Sequence, residues 1–221
     1  MLKNLRLELL ERIKPIHRKF RTQKIKLFLQ MAAESQSRSR LLDVGGGAGV
    51  DGEFLQLYSQ FAAVMVVNLA PRILQAPLGV RLEIMAADGR CLPFRSGSFD
   101  WVFSNAVIEH VGDWADQQRF AQEIRRVAFR GYFITTPNRY FPLEPHTLLP
   151  FYQFLPVGVQ RRVARYSPGY VRKYEAINLL SAAQMRELFP EADVISTGFP
   201  LFGNSLVAAY CSKQSPNARA S

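Results

Sequence analysis

The chain has 221 residues, 48% of them apolar and 21% charged, which is the balance of one soluble globular domain and not of a disordered or fibrous chain. At this length about 70% of the unfolded surface can be buried, so folding calls for neither disulfides nor a structural metal, and Cys91 and Cys211 make neither a disulfide framework nor a zinc cage. The net charge of +10 points to an anionic partner, whether nucleic acid, a membrane surface or a phosphorylated compound, without choosing among them.

That charge is segregated. Residues 1–40 hold eleven Lys or Arg against three Glu, and Arg161, Arg162, Arg165, Arg172 and Lys173 form a second basic segment. Residues 41–160 are slightly acidic, with nine basic and eleven acidic side chains.

In chain order the first element is a basic arm, residues 1–37. Leu2, Leu5, Leu9, Ile13, Ile16 and Phe20 recur at spacings of three and four, which predicts an amphipathic helix with Lys and Arg on its other faces. Pro15 lacks an amide hydrogen, so two helical pieces are predicted, Leu2–Lys14 and Pro15–Ala33, with a polar linker over 34–40. Nothing at the N-terminus reads as a signal peptide, and the longest apolar run, Phe61–Val67, is far short of the roughly 20 residues a spanning helix needs. A cytoplasmic protein is expected, with the arm as a peripheral contact to an anionic membrane.

From Leu41 short apolar runs alternate with helical periods. Strands are predicted at Leu41–Val44, Ala63–Val67, Leu82–Ala86, Phe99–Phe103, Tyr132–Thr135, Asp193–Thr197 and Leu206–Cys211, and helices at Asp113–Val127 and Ser181–Leu188. Seven strands with interleaved helices predict an α/β, Rossmann-like, open and mostly parallel sheet covered on both faces, spanning residues 38–211. A Pro-rich and aromatic-rich insertion occupies about 137–178, and 212–221 reads as a disordered tail.

Between the first strand and its helix stand Asp43, Gly45, Gly46, Gly47 and Gly49. Glycines at such a turn let the backbone approach a ligand, and the helix N-terminus offers amide donors to a negative group, so an adenosine-containing cofactor is expected. Gly47, Gly49 and Gly52 also fit the dinucleotide spacing G-x-G-x-x-G, but that match begins past the strand end and puts Gly52 inside the helix.

The stretch LLDVGGGAGV, followed by ADGRCLPFRSGSFDWVFSNAVIEHV and RGYFITTPN, resembles the class I S-adenosylmethionine-dependent methyltransferases, and within them the methyltransferase type 11 group. The resemblance implies S-adenosylmethionine as cofactor. Asp43 would hold its amino-acid end, Gly45, Gly46, Gly47 and Gly49 would line its pocket, Asp88 and Gly89 would meet adenine, and Ser104 and Asn105 would sit at the strand edge beside it. Where the family usually places an acid for the ribose hydroxyls this chain has Asn68, whose amide accepts one hydrogen bond and donates another.

Methyl transfer is an in-line displacement that rests on positioning and water exclusion, and a base is needed only for a weak nucleophile such as a hydroxyl. His146, with Glu144 two residues before it in the insertion, is the favoured base, and His110, Glu109 and Tyr140 are further candidates. Arg139 and Tyr140 are candidates for substrate contact, and Asp113 reads as a helix cap. Glu109 and His110 also resemble part of a Glu-x-x-Glu-His metal motif of related quinone-pathway O-methyltransferases, but Ala106 takes its first position, so no metal is expected.

The expected reaction is O-methylation of a small-molecule, glycan or lipid-linked acceptor. An RNA substrate is disfavoured, because Ala106 and Val107 follow Asn105 where base-amine methylating enzymes carry Pro-Pro-aromatic, and neither cysteine follows a proline. A nicotinamide oxidoreductase and a non-catalytic scaffold on the same fold are the remaining alternatives.

Overall fold

The computed structural model describes residues 2–33, 35–46, 52–70, 79–199 and 203–212, the side chains of residues 2–7, 9 and 36 excepted. Seven strands run in the order β3-β2-β1-β4-β5-β7-β6: β1 (Arg40–Val44), β2 (Ala63–Asn68), β3 (Arg81–Ala86), β4 (Phe99–Asn105), β5 (Ala128–Pro137), β6 (Asp193–Thr197) and β7 (Ser205–Cys211). Neighbours from β3 through β5 pair in parallel, and β7 is antiparallel to both β5 and β6. All seven predicted strands and the Rossmann-like α/β class are therefore present. β1 and β4 are covered on both faces, which is why LLDV and the run from Phe99 to Phe103 are apolar with little alternation.

Helices close each face. On one side α3 (Trp114–Val127) and α5 (Ala182–Leu188) bury Phe120, Ala121, Ile124, Val127, Met185 and Leu188 against Leu42, Val102, Tyr132 and Ile134. Asp113 caps α3 by accepting the Asp116 amide at 3.0 Å, and Ser181 forms a capping box with Gln184 at the start of α5. On the other side α2 (Gly52–Tyr58), which does contain Gly52, joins α1 (Leu2–Ala32).

The arm differs from its prediction. α1 is one helix with Pro15 inside it, not two pieces. The proline removes only one backbone bond of a 31-residue helix whose later turns are anchored by packing, so local propensity loses to tertiary contact. Ile25, Phe28 and Ala32 are buried in the sheet core, where the Phe28 ring meets Phe61, Trp101, Phe103 and Phe133. Arg18 and Arg21 pair with Glu53 of α2, fixing the helix laterally. Leu10 is also buried, while Ile16 is 45% exposed; the side chains of Leu2, Leu5 and Leu9 lie outside the described residues. The polar linker carries a 3-10 turn at Gln36–Arg38 before β1 begins.

The insertion leaves the end of β5 and returns before α5. It contains α4 (Val157–Val163), a short helix with no buried residue. Of the predicted tail, residues 213–221 lie outside the described residues.

Candidate functional site

At the carboxyl ends of β1 to β4 a cavity of about 480 Å³ opens, in the size range of small-molecule and cofactor sites. Each strand end contributes: Gly45 after β1, Asn68 in β2, Asp88 and Gly89 after β3, and Ala106, Val107 and His110 after β4. The cavity thus collects four of the predicted cofactor residues and one predicted catalytic residue. Gly47 and Gly49 lie outside the described residues.

The glycine turn is built around close approach. Gly45 has φ +87°, and a Cβ there would run into the Val107 side chain; a Cβ on Gly46 would run into the Asp43 carboxylate and approach the Tyr58 hydroxyl at 3.0 Å. The cradle is therefore limited to glycine by both conformation and space.

Asp43 sits behind this turn, 2% exposed, accepting a hydrogen bond from the Tyr58 hydroxyl at 2.5 Å. Burial pushes its carboxyl up to about 7, only partly offset by Tyr58. Among the described residues this buried carboxylate has one hydrogen-bond partner, which fits a cationic ligand group such as an ammonium that would supply the missing charge.

Asn68 is engaged with the protein itself. Its amide donates to the Gly45 carbonyl at 3.0 Å and the Gly46 carbonyl at 2.9 Å, and its Oδ1 accepts the Ala70 amide at 3.2 Å. The side chain clamps the glycine turn to the end of β2. Asp88 is likewise occupied: both its oxygens accept from Arg90, whose guanidinium also reaches the Val111 carbonyl and Asp116. The Arg90 pairing holds the Asp88 carboxyl below the usual range. Gly89 lets Phe120 approach, since a Cβ there would lie 2.6 Å from its ring. Ser104 donates to the Val44 carbonyl and Asn105 accepts from Thr135, so both tie strand ends together behind the cavity.

His110 lines the same cavity. Its ring and that of His146 meet edge to face, with centroids 4.9 Å apart, so the fold joins the two histidines predicted separately. Glu144 organises the turn that presents His146: it accepts from the Thr147 amide and hydroxyl at 2.7 Å each and from the His146 amide, and its Oε1 lies 2.6 Å from His146 Nδ1. A carboxylate there fixes the proton on Nδ1 and leaves Nε2 with the lone pair in the neutral ring. Burial lowers the His146 pKa, but the Glu144 hydrogen bond and surrounding carboxylates outweigh it and the net direction is up. His110 moves down, through burial and the neighbouring His146.

Glu109, in the 3-10 turn Ile108–His110, is fully buried beside this pair. Its Oε2 accepts from the Thr136 hydroxyl at 3.0 Å, while Oε1 accepts no hydrogen bond and lies 3.9 Å from His110 Nε2. Burial raises the Glu109 carboxyl despite the nearby His146 and Lys24. Lys24 comes from α1, and its ammonium is pulled down to about 8 by burial, with Glu109 acting against the shift. Tyr140 and Arg139 are not drawn into the cluster: Tyr140 is 66% exposed and stacks on Phe154, and Arg139 lines a separate cavity.

Three contributors escaped the sequence reading: Tyr58, Thr136 and Lys24. A tyrosine on a helix face and a threonine in a buried strand carry no local signal of function, and Lys24 sat among many arm cations.

The profile of a family described as "Methyltransferase domain" matches residues 42–135. Among curated proteins, malonyl-[acyl-carrier protein] O-methyltransferase of Halorhodospira halophila is 36% identical over 94 residues, a segment covering 40% of this chain and 30% of that protein. The chain thus spans about 30% of the length of the curated relative it matches. Among solved structures, the PH0226 protein of Pyrococcus horikoshii OT3 aligns with TM-score 0.58 at 15% identity, over 93% of this chain and 92% of that one. Magnesium protoporphyrin IX methyltransferase of Synechocystis PCC 6803, crystallised with SAM, aligns with TM-score 0.56 at 14% identity over 90% and 84%. The methyltransferase-domain match runs from β1 to β5, across the glycine turn and the strand ends that wall the cavity, and together with these structural neighbours it supports a class I S-adenosylmethionine-dependent methyltransferase fold.

Proposed function

We propose that the protein transfers a methyl group from S-adenosylmethionine to an oxygen of a small-molecule, glycan or lipid-linked acceptor. The observation that carries the reading is one cavity walled by the glycine turn on one side and by His110, in contact with His146, on the other. When bound, S-adenosylmethionine supplies a methyl group already activated on a sulfonium. Asp43 would receive its ammonium, the backbone of Gly45 and Gly46 would line its amino-acid end, and the Asp88–Gly89 turn would meet adenine.

The chain's own work is placement and control of the acceptor's proton. On this reading His110, which lines the cavity, and His146 beside it would meet the acceptor, with Glu144 keeping His146 in one tautomer. The O-methyltransferase activity in the name of the Halorhodospira relative supports oxygen as the accepting atom.

The test is methyl-labelled cofactor incubated with the protein and fractionated small-molecule, glycan and lipid extracts. Label is expected in one acceptor fraction together with S-adenosylhomocysteine release. His146→Ala is expected to lower kcat about 100-fold or more with homocysteine-product affinity retained. An unchanged kcat would remove His146 from the acceptor site.

A further inference from the structure

Glu109, His110 and His146 each offer a ligand atom, and these atoms lie within 4.8 Å of one another. We propose that the three side chains bind a divalent transition-metal ion, Zn(II) or its close relatives Co(II) and Mn(II), with positions left open toward the methyl-transfer cavity.

Several independent observations converge on this site. Glu109 is fully buried, yet its Oε1 accepts no hydrogen bond and lies 3.9 Å from His110 Nε2. A buried carboxylate oxygen without a partner is costly unless a cation completes it. His146 offers Nε2 because Nδ1 faces Glu144 at 2.6 Å, and a carboxylate behind a histidine is the usual outer partner of a metal-bound imidazole. Thr136 in turn holds the other Glu109 oxygen at 3.0 Å, fixing which oxygen points inward. The surrounding charge also suits a dication, since Glu144 and Glu175 favour positive charge at both imidazoles and Glu109 favours it at His146, while Lys24 acts on Glu109.

The donor set narrows the ion. Two imidazoles and one carboxylate suit Zn(II), Co(II) or Mn(II) better than Mg(II) or Ca(II), which prefer all-oxygen cages. Metal–nitrogen bonds of about 2.0–2.1 Å let two ligand atoms stand at most roughly 4 Å apart, so the present spacing is slightly open. His110 is exposed and packs edge-on against His146, so a turn of its ring closes the gap. His110 also lines the cofactor cavity, so an ion there would orient an acceptor oxygen and ease loss of its proton beside the methyl donor. Ala106 removes a ligand from the segment of Glu109 and His110, and the insertion brings the third, His146, from elsewhere in the chain.

Ion binding itself is independent of the methyltransferase reading, and only its use in catalysis rests on it. The test is calorimetric titration of the chelator-stripped full-length chain with Zn(II), alongside S-adenosylhomocysteine titration of the same samples. One Zn(II) per chain is expected. Glu109→Gln and His146→Ala should each weaken binding at least tenfold and Glu144→Gln about 10–100-fold, while His17→Ala, the remaining histidine, leaves it unchanged. Visible ligand-field bands of Co(II) bound to the unmutated chain give a second readout that needs no variant. Failure of the unmutated chain to take up Zn(II) or Co(II), or uptake indifferent to Glu109 and His146, overturns the proposal. If S-adenosylhomocysteine still binds in that case, the methyltransferase reading stands and His146 is a proton acceptor; if it does not bind while Zn(II) does, that reading fails and the metal site stands.

Discussion

Asn68 occupies the place where the resemblance implies an acid, and its hydrogen bonds say why an amide is useful here. It donates twice to carbonyls of the glycine turn, which a carboxylate cannot do. Asn68→Asp, although it restores the usual residue type, is therefore expected to loosen the turn and weaken S-adenosylhomocysteine binding about tenfold, from the roughly 1–3 kcal/mol lost when buried acceptors lose their donors. Isothermal titration checks it, and tighter binding by the aspartate would show that the ribose contact outweighs the clamp. Asp43 carries a different prediction. Its folded pKa, about 7, lies above the 3.8 of a free carboxyl, so the ligand-free protein holds this proton up to near neutral pH. Pairing with a ligand ammonium requires the proton to leave. Affinity for S-adenosylhomocysteine is thus expected to rise about tenfold per pH unit from 5 to 7 and to level off above, with a proton released on binding. Asp43→Asn should flatten that profile, and titration in buffers of different ionisation enthalpy counts the proton.

At the scale of elements, α1 shows how an amphipathic period underdetermines its partner. Its period predicts a basic helix available to a membrane, with its seam at Leu2 to Phe20. Among the described side chains, Ile25, Phe28 and Ala32 of its later turns enter the core and close the sheet face next to α2. Phe28→Ala should cost about 3–5 kcal/mol, since it empties a fully buried site ringed by four aromatic side chains. Chemical denaturation measures this, and a loss under 1 kcal/mol would mean that α1 is dispensable to the sheet. The same helix places Lys24 where its charge acts on Glu109, so the arm contributes to the electrostatics of the histidine cluster. The insertion teaches the complementary lesson. Its Glu-Pro-His-Thr turn is self-contained, Glu144 binding four neighbouring groups within three residues, while long-range bonds from the Tyr170 and Val171 amides to the His146 carbonyl tie it to the rest of the insertion.

For the whole molecule, the cofactor class can be tested through stability. A ligand that binds only the folded state at about 100 times its Kd stabilises by about 2.7 kcal/mol, which for a chain of this length raises Tm by about 5–10 °C. S-adenosylhomocysteine is expected to give that shift and NADH none in a thermal denaturation series; the reverse order would favour the oxidoreductase alternative. The charge that opened the sequence reading has a partial explanation at this scale, because Arg18 and Arg21 of the arm serve a local acid, Glu53, while the cavity walls lie in the slightly acidic body. What the sequence determined by itself was whatever is encoded by local period and local spacing: seven strands, the capped helices α3 and α5, the glycine turn with Asp43, and through these the fold. Residues adjacent in sequence share one strand end or one helix face, so their grouping is legible without coordinates. Only the tertiary structure decided that Asn68 and Asp88 are held by Gly45, Gly46 and Arg90, that Pro15 does not break α1, and that Glu109, His110 and His146 converge. Those outcomes depend on which loops the sheet order brings to one edge and on burial strong enough to override a proline, and neither quantity is written in a local window of residues.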